Sequence, residues 1–132
     1  MENVFSLLIL EDNPDERFLL SRLLDRHFPQ WYYYFVEDEK ELLLFLSEGI
    51  PVSVLLLDIH LPGKDGLQIL KDLRKIEAYR LIPVVGFSNN ASMEAAYQLV
   101  IGGATTLFQK PVVPEETISL LRTLPAFAAK VH

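Results

Sequence analysis

The stretch that decides the fold is Val52-Ser53-Val54-Leu55-Leu56-Leu57-Asp58, a short and nearly continuous apolar run that ends on an acid. A run this short reads as a strand, and a continuous rather than alternating one suits a sheet covered on both faces. Working outward, runs of the same kind occur at Phe5 to Leu10, Trp31 to Val36, Pro83 to Phe87 and Thr106 to Phe108. They are rich in β-branched and aromatic residues, as strands are.

Between these runs the apolar spacing becomes helical. Asn13 can cap a first helix, with Pro14 at its first position, Glu16 completing a capping-box-like start, and Leu19, Leu20, Leu23 and Leu24 on one stripe. Asp38 opens a second through Ser47, ended by Gly49 and Pro51. Asp65 can cap a third from Gly66 to about Ile76, with Leu67, Leu70 and Leu73 on one side, and Gly63 and Gly66 bracket the turn before it. Ser92 or Asn90 opens a fourth, carrying Ala95, Ala96, Leu99 and Val100 and stopped by Gly102-Gly103. Pro114 starts the fifth, with Ile118, Leu121 and Leu124 apolar, and Pro125 is expected to limit it. Five strand–helix pairs in strict alternation predict a three-layer α/β fold, a doubly wound five-stranded parallel sheet between helices. Right-handed crossovers leave few strand orders, among them 2-1-3-4-5.

Composition narrows the function. At 132 residues one domain is expected, placed at 1–125 with a short tail at 126–132. Without cysteine there is no disulfide framework and no thiolate metal site. No apolar run approaches the roughly 20 residues of a membrane span, and Met1-Glu2-Asn3 lack the basic start of a signal peptide. Twelve Lys/Arg against eighteen Asp/Glu give a net charge of −6, a poor footing for nucleic acid. The expectation is an acidic cytoplasmic domain that binds neither nucleic acid nor membrane.

Ligands of an open α/β sheet bind beyond the carboxyl ends of the strands, where the strand order reverses. The residues expected there are Glu11-Asp12 after strand one, Asp58 after strand three, Ser88-Asn89 after strand four and Lys110-Pro111 after strand five. In the order 2-1-3-4-5, strands one and three are neighbours, so three carboxylates and a lysine share one rim. Carboxylates crowded together need a counter-charge, and hard oxygen donors suit Mg²⁺ or Mn²⁺. The imidazole of His60 has no second His or Cys nearby to build a zinc site.

These residues resemble the receiver domain of bacterial two-component response regulators. The resemblance runs from Val4 to Leu124 and is carried by Leu-Ile-Leu-Glu-Asp-Asn at 8–13, Leu-Leu-Leu-Asp-Ile-His-Leu-Pro-Gly-Lys-Asp-Gly at 55–66, Pro-Val-Val-Gly-Phe-Ser at 83–88 and Gln-Lys-Pro at 109–111. It implies a flavodoxin-like fold in the order 2-1-3-4-5, with Asp58 as phosphoacceptor and Mg²⁺ held by Asp12 directly, Glu11 through water, Asp58 and the backbone carbonyl of His60. It further implies that Lys110 contacts a phosphoryl oxygen, that Ser88 is the switch hydroxyl, and that the Lys110–Pro111 bond is cis. Two positions depart from the family's commonest pattern: Asn89 stands where Ala or Gly is usual, and Leu107 where Tyr or Phe often is. Neighbouring strand residues face opposite sides, so Phe108 cannot substitute for the missing aromatic.

The function implied is a phosphorylation-activated switch. It is fed by a histidine kinase or a phosphotransfer protein, is not a turnover enzyme, and acts as a monomer or weak homodimer on an output protein or by onward phosphotransfer. A receiver excised from a larger regulator is the nearest alternative. A related Asp-nucleophile phosphotransferase or phosphatase is disfavoured because such enzymes carry a second Asp two residues after the first, where this chain has His60. A flavin or nucleotide carrier lacks its glycine-rich phosphate loop after strand one. The aromatic run Trp31 to Phe35 reads first as an edge strand flanked by helices and second as a contact surface.

Overall fold

The computed structural model describes residues 4–59, 65–89, 93–111 and 113–128. Its elements alternate along the chain: β1 (Ser6–Leu10), α1 (Pro14–His27), β2 (Tyr32–Val36), α2 (Glu39–Ser47), β3 (Val54–Asp58), α3 (Gly66–Arg74), β4 (Val84–Ser88), α4 (Met93–Ile101), β5 (Thr106–Gln109) and α5 (Pro114–Ala128). The five strands form one parallel sheet in the order β2-β1-β3-β4-β5, as the sequence led us to expect.

Every residue of β1, β3 and β4 is buried, which is why their apolar runs are continuous. Leu8, Leu10, Leu55 and Leu57 face α2, α3 and α4, packing with Leu42, Leu46, Ile69, Leu70, Leu73 and Leu99. Leu7, Ile9, Leu56, Val85 and Phe87 face α1 and α5, packing with Leu20, Leu24, Leu121 and Leu124. Each leucine buried this way contributes about 1.5–3 kcal/mol. Leu107 lies on the first face and Phe108 on the second, where it meets Phe127 at 6.2 Å, so the two do not exchange roles.

The helix ends follow local chemistry. Asp38 and Asp65 accept the backbone N–H of Glu41 and Gln68, each at 2.9 Å. α4 closes with Gly103 at φ +110°, Gly103 N–H bonded to Val100 C=O and Ala104 N–H to Leu99 C=O, a Schellman turn. The edge strand is flanked as expected: Trp31 stacks on Phe28 at 4.2 Å, Tyr34 meets Phe45 at 4.9 Å, and Tyr33 donates to Asp25 at 2.6 Å.

Two local readings need correction. α5 does not stop at Pro125; it runs to Ala128, so the anticipated tail begins inside the helix. Proline costs Leu121 C=O its helical partner, but Leu121 and Leu124 before it are buried and Phe127 after it packs on Phe108, which carries the helix through. A 3₁₀ turn at Glu77–Tyr79, which no apolar pattern announced, joins α3 to β4. Arg74 holds that corner, donating to Tyr79 C=O at 3.0 Å and twice to Gly103 C=O.

Gly66 is required by close approach rather than by a turn dihedral. Its N–H donates to Ile59 C=O at 3.0 Å, and a Cβ there would stand 2.8 Å from Ile59 Cα and 2.9 Å from Asp58 O. Its companion Gly63, in the same expected turn, lies outside the described residues. Backbone cannot yield as a flexible side chain can, so Gly66→Ala is expected to destabilise the fold by about 1–3 kcal/mol in urea unfolding. An unchanged midpoint would show that α3 is free to back away from the end of β3.

Candidate functional site

The carboxyl ends of the strands bring four charged side chains together. Asp58 is the last residue of β3 and Glu11 follows β1; both are buried. Glu11 N–H donates to Val36 C=O at 3.0 Å, which fixes the chain as it leaves the sheet. Lys110 follows β5, and its N–H donates to Ser88 C=O at 2.7 Å. Its side chain lies over the Phe87 ring, 4.9 Å from the centroid, and so crosses β4 to reach the other strands. Lys110 Nζ donates to Asp58 Oδ2 at 3.0 Å, Glu11 Oε1 at 3.2 Å and Glu16 Oε2 at 2.7 Å. An ammonium has three N–H groups, and three carboxylates use them all.

The expected residues are placed as follows. Glu11, Asp58 and Lys110 meet directly. Ser88 is buried at the end of β4, one strand from Asp58. Asn89 is exposed just beyond it, and Leu107 lies beneath the site, over Gly86. Asp12 is half-buried and outside the acid cluster, which comprises Glu11, Glu16 and Asp58 with carboxylate oxygens all within 4.8 Å. His60, whose carbonyl was expected to join the site, and Ser92 and Asn90, expected to open α4, lie outside the described residues.

Two readings change. The Lys110–Pro111 bond is trans, and no cis peptide occurs among the described residues. Trans is the lower-energy form even before proline, and here the Ser88 hydrogen bond and the carboxylates aim the lysine inward. Glu16 does not close a capping box. Asn13 accepts the Asp15 and Glu16 N–H groups at 2.8 and 3.2 Å, but its own N–H goes to Glu11 Oε2, leaving Glu16 free to meet Lys110. Sequence reasoning therefore missed Glu16 as a site residue. The signal was present: side chains in the first turn of a helix tilt back toward its N-terminus, which is the rim where β1 ends.

Beside Lys110, between α1 and the start of α5, lies a cavity of about 330 Å³ lined by Leu19, Leu20, Leu23, Phe87, Pro111 and Val113.

Burial pushes the Glu11 carboxyl up to about 8, helped by its hydrogen bond with Glu16 and the charge of Asp58 and opposed by Asn13 N–H and Lys110. The bond from Glu11 in turn holds Glu16 below its ordinary value, with Lys110 assisting. Burial works against the Lys110 charge, but Glu16 and Asp58 outweigh it and the ammonium titrates above its usual range. The folded state thus binds the Glu11 proton more tightly than the unfolded chain, so stability should fall as pH rises from about 4.5 to about 8. Glu11→Gln is expected to flatten that decline in thermal melts recorded without divalent metal. An equally steep decline in the variant would place the titrating group elsewhere.

Residues 7–122 match the response regulator receiver domain family. The sensory/regulatory protein RpfC of Xanthomonas campestris pv. campestris is 30% identical over 120 residues, covering 89% of this chain and 16% of that protein. The chain thus spans a small part of this curated relative. Response regulator RPA3017 of R. palustris superposes with a TM-score of 0.83 at 21% identity, covering 94% of this chain and 93% of the other. The Mn²⁺-bound form of response regulator Rcp1 superposes at 0.76 with 19% identity, covering 93% of each. With the strand order and the acidic rim, the match across residues 7–122 establishes that this chain belongs to the receiver domain family of two-component response regulators.

Proposed function

We propose that the chain is a phosphorylation switch in which Asp58 accepts a phosphoryl group from a phosphohistidine of a sensor kinase or phosphotransfer protein. The observation that carries this reading is the burial of Asp58 with an ammonium 3.0 Å from Oδ2. An Asp58 oxygen forms a bond to phosphorus as the donor's phosphorus–nitrogen bond breaks, its electron pair passing to the imidazole, and the product is an acyl phosphate. A carboxylate is a modest nucleophile, so the work falls to positioning and charge neutralisation. Lys110 supplies a fixed positive charge to a phosphoryl oxygen, and the Ser88 hydroxyl supplies a donor from the adjacent strand end.

The oxygen-only donor set of Glu11, Glu16 and Asp58 fits a hard divalent cation, Mg²⁺ or Mn²⁺. We assign its holding to Glu11 and Asp58, with Asp12 and the His60 carbonyl as further ligands. When bound, the cation supplies positive charge against the crowded carboxylates and the phosphoryl oxygens. Asn89, exposed at the rim, is assigned to the approach path of donor and water, and Leu107 and Pro111 to modulating the Ser88 and Lys110 positions. The output is a protein contact or onward transfer, without turnover of a substrate.

With Mg²⁺, acetyl phosphate is expected to add one phosphoryl mass to the unmodified chain and none to Asp58→Asn, read by intact-mass spectrometry. A phosphoryl mass on the variant after brief exposure would move the acceptor to another residue.

A further inference from the structure

Glu16 has no role in the phosphoryl chemistry described above, yet its carboxylate is the nearest partner of Lys110, at 2.7 Å against 3.0 Å for Asp58 and 3.2 Å for Glu11. It is also the outermost of the three acids, its side chain 39% exposed against 4% and 1%. It stands on the first turn of α1, held there by the Asn13 cap, at a helix end that favours an anion.

Glu11 Oε1 and Asp58 Oδ2 are oxygens that a divalent cation would use, and in this structure the Lys110 ammonium is bonded to both. Lysine and cation therefore compete. A cation that takes these oxygens leaves the ammonium without two of its three partners and sets two positive charges side by side. Lys110 is only 11% exposed and lies over the Phe87 ring, so water alone does not replace those partners. Glu16 does.

We propose that Glu16 is a positioning residue that holds the Lys110 ammonium at the outer edge of the site, so that a divalent cation can take the Glu11 and Asp58 oxygens while the lysine stays charged and within reach. The proposal rests on the divalent-cation reading of the site given above. It assigns the effect of Glu16 to the lysine rather than to ligation of the metal.

The test is a double-mutant cycle on Mg²⁺ affinity, measured by calorimetry for the full chain, Glu16→Gln, Lys110→Met and the double variant, with folding of each checked by melting in chelator. Glu16→Gln is expected to weaken Mg²⁺ binding about tenfold when Lys110 is present and by less than about twofold when it is absent. Glu16→Asp, which keeps the charge and shortens the reach, should fall with Glu16→Gln, while Asp15→Asn, an exposed neighbour in the same turn, should leave affinity unchanged. An equal or larger loss in the Lys110→Met background would make Glu16 a metal ligand and overturn the proposal. So would an unchanged affinity in Glu16→Gln, full affinity in Glu16→Asp, or a matching loss in Asp15→Asn. Absence of Mg²⁺ binding by the unmodified chain would instead overturn the cation reading itself, a result independent of every Glu16 variant.

Discussion

One ammonium ties the functional end of this molecule together. Lys110 reaches Glu11, Glu16 and Asp58, which lie 99, 94 and 52 residues away along the chain. Through them it joins the end of β5 to β1, α1 and β3. Removing one member of a buried ion pair leaves an uncompensated charge and typically costs about 3–5 kcal/mol. Neither Glu11 nor Asp58 can turn to solvent, since both are buried. The geometry also depends on an apolar side chain: without the Phe87 ring as a platform, the lysine would have no covered path across β4.

The rest of the fold delivers these groups. The order β2-β1-β3-β4-β5 sets the ends of β1 and β3 side by side, and right-handed crossovers place α1 and α5 on the face where Phe87 lies. Gly66 lets α3 begin against the carbonyl of Asp58. Burial on both sheet faces fixes the strands rigidly, and that rigidity holds charges of like sign together. Burial is the main cause that raises the Glu11 carboxyl, and the bond to Glu16 and the charge of Asp58 add to it.

Much of this was legible in the residues, and the failures have physical reasons. Val54 to Leu57 announced a doubly covered strand because both faces are apolar, and Asn13, Asp38 and Asp65 announced helix starts because caps are local chemistry. The end of α5 was misread because a local rule about Pro125 met tertiary packing by Phe127. At the site, Glu11, Asp58 and Lys110 could be placed from strand ends alone. Glu16 could not, because its local pattern fits a capping box equally well, and only the Glu11 bond to Asn13 N–H shows that the box is open. Asp12, the neighbour of Glu11, is half-buried and is not among the three acids that Lys110 joins.

The most direct test of the account is a crystal structure of the chain with Mg²⁺ and beryllofluoride, a mimic of the bound phosphoryl group. Beryllium is expected on an oxygen of Asp58, with Lys110 Nζ within hydrogen-bond distance of a fluorine. Beryllium on a different carboxylate, or Lys110 Nζ out of contact with the adduct, would contradict it.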